Sequence, residues 1–128
     1  QRQMCIRDRL EQLQERFGDV QTRQLPSGTT LVTVPGVRLP EGWSKSSTTI
    51  RFIVPPGYPF AQLDCFWADP DLLLAHGGPP QNSASTPVPE TVEPALWFSW
   101  HLTGPWNPNR DSLSTWMNVV IDRMRQVQ

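Results

Sequence analysis

The sequence predicts an α+β fold: one small domain with an N-terminal helix, an antiparallel β-meander, a long loop and a C-terminal helix. Three observations predict it. A length of 128 residues suits a single core. Three strand-like stretches follow one another at short spacing with turn residues between them, which favours antiparallel neighbours. Helical periodicity is confined to the two ends of the chain.

Leu10, Leu13 and Phe17 recur at i, i+3 and i+7 among charged and amide residues, and Gly18 follows, so a helix is expected there. Leu25–Gly28 reads as a turn. Thr29–Val34 is rich in β-branched residues and reads as a strand stopped by Pro35-Gly36. Val37–Ser46 reads as loop. Thr48–Val54 is the second strand, with Ile50, Phe52 and Val54 on one face. The corner Pro55-Pro56-Gly57-Tyr58-Pro59 ends it. Leu63–Trp67 is the third strand, with Leu63, Cys65 and Trp67 expected on one face.

From His76 to Pro94 the chain is rich in Gly, Pro, Ser, Thr and Gln, and reads as a long loop of the kind that is usually functional or mobile. Leu96–Thr103 then alternates sharply, with Leu96, Phe98, Trp100 and Leu102 on one face and Trp97, Ser99, His101 and Thr103 on the other. Asp111 is the expected N-cap of a last helix from Ser112 to about Gln126. Its buried stripe is Leu113, Trp116, Met117, Val120 and Met124.

Composition excludes several function classes. Net charge is −1 with no basic stripe, which argues against nucleic acid. No apolar run approaches the roughly 18 residues that span a membrane. No apolar leader segment is visible, and the cytoplasm is the expected compartment. Cys5 and Cys65 make neither a disulfide framework nor a zinc set, and His76 and His101 add no ligand cluster, so no metal and no cofactor is expected. Gln1 to Arg9 (QRQMCIRDR) looks like translated adapter sequence and is set aside as a non-native or disordered lead, leaving 10–127 as the domain.

Three marks in this order resemble the ubiquitin-conjugating (UBC-like) superfamily: the Tyr58-Pro59 corner after the second strand, the long irregular segment after the third, and Trp106-Asn107-Pro108 ahead of the last helix. The element Phe98-Ser99-Trp100-His101 resembles the Phe-Ser-x-His element of the superfamily's prokaryotic family E. The resemblance covers residues 10–126. It implies a UBC-like fold and a bacterial conjugation pathway. The implied partners are a ubiquitin-like protein, an activating enzyme and a metal-dependent isopeptidase, and anti-phage defence is an implied setting. Tyr58, Pro59 and Trp106 are then binding or architectural positions. Two departures stand out: no cysteine lies near Phe98–Ser99, where the superfamily's spacing puts its nucleophile, and the preceding His-Pro-Asn tripeptide is absent.

Serine is a weaker nucleophile than cysteine and needs an adjacent base. Ser99 and His101, two apart in an alternating segment, point the same way and can form such a pair, with Asp69 or Asp111 as candidates to orient the imidazole. The candidate catalytic residues are therefore Ser99 and His101, acting through a serine oxyester. Same-face Ser and His also arise by chance on half-exposed strands. Cys65, between Leu63 and Trp67, reads as a small core hydrophobe. Three functions stay open: an acyl-carrying conjugating enzyme, an inactive relative that binds the ubiquitin-like protein or its activating enzyme as a scaffold, and an unrelated α+β interaction domain.

Overall fold

The computed structural model describes residues 6–56, 63–100 and 112–128, with side chains described from Arg9 onward. Its elements are α1 (Ile6–Phe17), β1 (Gln21–Gln24), β2 (Thr30–Arg38), β3 (Ser47–Val54), β4 (Phe66–Ala68), β5 (Ser83–Ser85), β6 (Leu96–Phe98) and α2 (Leu113–Arg125). The strands form one sheet in the order β1-β2-β3-β4-β6-β5, and every described pairing is antiparallel. The expected α+β plan, with a helix at each end of an antiparallel sheet, is what the structure shows.

Alternation along the strands gives the sheet two faces. Val32, Val34, Ile50, Phe52, Val54, Phe66, Ala68, Leu96 and Phe98 turn to one side and form the main core with Leu13 of α1 and the buried face of α2. The five residues expected to line α2 (Leu113, Trp116, Met117, Val120 and Met124) are all buried. Arg16 of α1 ties the helices together by donating to the Ser114 carbonyl (3.1 Å) and the Asn118 side chain. On the other face Leu25, Leu31, Trp67, Val88 and Ala95 form a smaller core, with Ile53, Cys65 and Trp97 against it.

Several expectations need correction. Helix α1 starts at Ile6, earlier than Leu10, where the expected periodicity begins. Pro35-Gly36 does not end β2. The strand continues to Arg38 through a register shift between Val34 and Val37, where Gly36 takes φ +69, so the missing proline N–H and the turned backbone are absorbed by a bulge. The third strand is shorter than expected and its phase differs. Cys65 has φ +60, which breaks the alternation and places Leu63 in the main core but Trp67 in the smaller one. The stretch 76–94 is not all loop, because Ser83–Ser85 adds an edge strand beside β6. Val88 is buried in the smaller core, so this stretch covers the sheet face opposite the helices. Helix α2 is capped by Ser112 in place of Asp111. The Ser112 side chain accepts from the Thr115 N–H while the Thr115 hydroxyl accepts from the Ser112 N–H, a reciprocal capping box.

Candidate functional site

The site is built on the end of β6. This strand lies between β4 and β5, so its backbone is held from both sides. The hold continues past the last strand residue. The Ser99 N–H donates to the Asn82 carbonyl at 2.8 Å on the β5 side, and the Cys65 N–H donates to the Trp100 carbonyl at 2.7 Å on the β4 side. Phe98 is fully buried and stacks on Phe66 with ring centroids 4.8 Å apart. Trp100 is half-buried against the main core. Between these two anchors Ser99 is exposed. The alternation that buries Phe98 and Trp100 therefore turns the Ser99 hydroxyl toward solvent on a backbone fixed on both edges.

Cys65 occupies the same corner. The register pairs Phe66 with Phe98, so Cys65 and Ser99 are the next residues beyond that pair. The thiol is half-buried beside Trp97, where Cys65 packs against the smaller core. Burial pushes the Cys65 pKa up, against the opposing effect of hydrogen bonds with the Trp100 backbone and the Trp97 side chain. Less thiolate is available than at an ordinary exposed cysteine.

Arg123 is a contributor that the sequence reading missed. It lies on α2 within the apolar stripe, one position before Met124, and is 1% exposed. Its guanidinium donates to the main-chain oxygens of Gln126 (2.8 Å), Gln81 (2.9 Å) and Gln128 (3.0 Å). It also lies over the rings of Phe98 and Trp100, at 5.1 and 5.4 Å from their centroids. Burial pushes its pKa down from the ordinary arginine value. The available signal was its helical spacing: position 123 is three residues after Val120, on the buried face. Asn82 was also missed, and no local signal marks it, because it meets Ser99 across the aperiodic stretch before β6.

Of the predicted site residues, Ser99 alone is among those described. His101, Tyr58, Pro59 and Trp106 lie outside the described residues, as does Asp111. Asp69 does not approach Ser99. It follows Ala68, which pairs with Leu96 at the far end of the β4–β6 ladder, and its carboxylate takes a 2.9 Å ion pair from Lys45. A cleft of about 330 Å³ lined by residues 39–46 contains none of the predicted site residues. Among the described residues no group of three or more His, Cys, Asp or Glu is arranged to hold a metal, and no helix is long and apolar enough to cross a membrane.

Searches of curated proteins and of solved structures each return no match. A family model, Prokaryotic E2 family E, matches residues 8–127. The match covers α1 from residue 8 onward, the six described strands, Ser99 and all of α2, and the chain belongs to prokaryotic E2 family E, a UBC-like, conjugation-related family.

Proposed function

We propose that the chain is a conjugating enzyme that receives the C-terminal acyl group of a ubiquitin-like protein from an activating enzyme and carries it on the Ser99 hydroxyl. One observation carries this reading: Ser99 is exposed on a segment hydrogen-bonded along both edges, at the position where the wider superfamily's spacing puts its nucleophile. The nearby Cys65 is a poor substitute, since its thiol is half-buried and its pKa is raised.

In the proposed step the Ser99 Oγ attacks the thioester carbonyl carbon on the activating enzyme while His101 takes the hydroxyl proton. The C–S bond breaks, a C–O ester bond forms, and the proton passes from His101 to the departing sulfur. An acceptor amine then attacks the ester carbon. The amide bond forms, the C–O bond breaks, and Ser99 regains a proton. The His-Pro-Asn asparagine is missing, and Asn82 supplies a neutral carboxamide at the same corner as a donor for the oxyanion. Tyr58, Pro59 and Trp106 are the candidate binding positions that the resemblance implies. A metal-dependent isopeptidase acts elsewhere in the same cytoplasmic pathway, which serves anti-phage defence.

The test is reconstitution with the activating enzyme, ATP and the ubiquitin-like protein, read on a denaturing gel. The expected product is a covalent adduct that resists thiols, is cleaved by hydroxide, persists in Cys65→Ala and is absent in Ser99→Ala. His101→Gln is expected to slow its formation by about 10²- to 10⁴-fold, the usual contribution of a general base. An adduct that survives Ser99→Ala and vanishes in Cys65→Ala overturns the assignment. Retained binding with no adduct in the unaltered protein indicates an inactive scaffold.

A further inference from the structure

We infer that Arg123 is a positioning residue for the Ser99 corner, holding the segment 98–100 and the Gln81–Asn82 backbone in register so that the Ser99 N–H meets the Asn82 carbonyl. The inference takes its functional meaning from the proposed role of Ser99 and its structural content from geometry alone.

A buried guanidinium is a costly group to keep. Among the described residues no side-chain carboxylate pairs with it, and its Nε has no hydrogen-bond partner. An apolar side chain on the same stripe would satisfy the core at lower cost. What an apolar side chain cannot do is join three pieces of chain at one point. Two terminal nitrogens of Arg123 reach the Gln81 carbonyl before β5 and the main-chain oxygens of Gln126 and Gln128 after α2. The planar cation covers Phe98 and Trp100, the two residues flanking Ser99.

These contacts bear on the same short hydrogen bond from both sides. Gln81 precedes Asn82, whose carbonyl accepts the Ser99 N–H. Asn82 itself has φ +60, a conformation that a non-glycine residue adopts at some cost and that its fixed neighbours must hold. Phe98 and Trp100 are pinned on the donor side, and the Gln81 carbonyl is pinned on the acceptor side. A lysine keeps the charge but lacks the planar fork that serves several carbonyls and two ring faces together.

The test uses the full chain with Arg123→Met and Arg123→Lys. Amide hydrogen exchange is resolved at Ser99 and at the β2–β3 ladder as internal reference. With one hydrogen bond's net contribution weakened, Ser99 exchange is expected to accelerate about tenfold relative to the ladder in Arg123→Met. Arg123→Lys is expected to show a smaller acceleration, and it carries the comparison if Arg123→Met does not fold. In the reconstituted reaction, adduct formation is expected to slow while affinity for the ubiquitin-like protein stays unchanged, a split that general destabilisation does not produce. Equal acceleration of Ser99 and ladder amides, or no change at Ser99, overturns the inference. An adduct that survives Ser99→Ala overturns the nucleophile assignment instead, and leaves the exchange ratio as it was.

Discussion

Ser99 and Cys65 sit side by side past the end of the β4–β6 ladder, and their surroundings give them opposite characters. The hydroxyl is exposed. The thiol is half-buried against Trp97 and carries a raised pKa. This difference predicts the labelling of Cys65. At about pH 8, iodoacetamide is expected to modify Cys65 more slowly in the folded protein than in urea, because the folded state holds less thiolate. Raising the pH through the shifted pKa ionises the folded thiol and narrows the gap. Equal labelling at the lower pH, read by mass spectrometry of the Cys65 peptide, contradicts the assignment. At this scale the exposure of Ser99 was legible from the alternation of Leu96, Phe98 and Trp100 with polar neighbours. The placement of Cys65 was not, because nothing in Leu63–Trp67 announces that its middle residue takes a left-handed conformation.

At the scale of elements, hydrophobic pattern predicted what apolar residues build. Helix α2 and strand β3 fall where periodicity put them, since each has a continuous buried face. Strands β1 and β5 escaped detection because they are edge strands with mainly polar or small side chains. All four β1 residues (Gln21 to Gln24) are exposed, and Ser83–Ser85 has none buried. Such strands are held by backbone pairing to a neighbour, a contact that local sequence does not encode. The bulge in β2 was hidden for a related reason: Pro-Gly marks a turn in most contexts, and only the pairing with β3 on both sides reveals a continuous strand. Gly36 at φ +69 has open space around its Cβ direction, so its requirement is conformational. Gly36→Ala is expected to destabilise the protein by about 1 kcal/mol in urea unfolding through that backbone cost alone. An unchanged midpoint contradicts a bulge of this geometry.

Across the whole molecule, the two-faced sheet explains the division of labour. Helices α1 and α2 cover one face, and the stretch containing Val88 and Ala95 covers the other. That stretch is fastened by Glu90, whose carboxylate accepts from both the N–H and the hydroxyl of Ser27 at 2.9 and 2.6 Å. The long segment before β6 is thus committed to the molecule's own second core, and Ser99 is exposed beside it. The α+β plan and family membership were legible because the order of corner, strand and helix survives without long-range information. The convergence of Arg123, Gln81, Asn82 and Ser99 was not, since it joins chain positions that only the sheet order β4-β6-β5 brings together.

Substituting sulfur for oxygen at position 99 tests the central claim most directly. In the reconstituted reaction Ser99→Cys is expected to form an adduct at least as fast as the unaltered protein. Thiols are expected to cleave that adduct, while the unaltered protein's adduct resists them and yields to hydroxide. If the Ser99→Cys adduct remains thiol-resistant, or if none forms while the unaltered protein is still charged, the acyl group is carried elsewhere and the assignment of Ser99 fails.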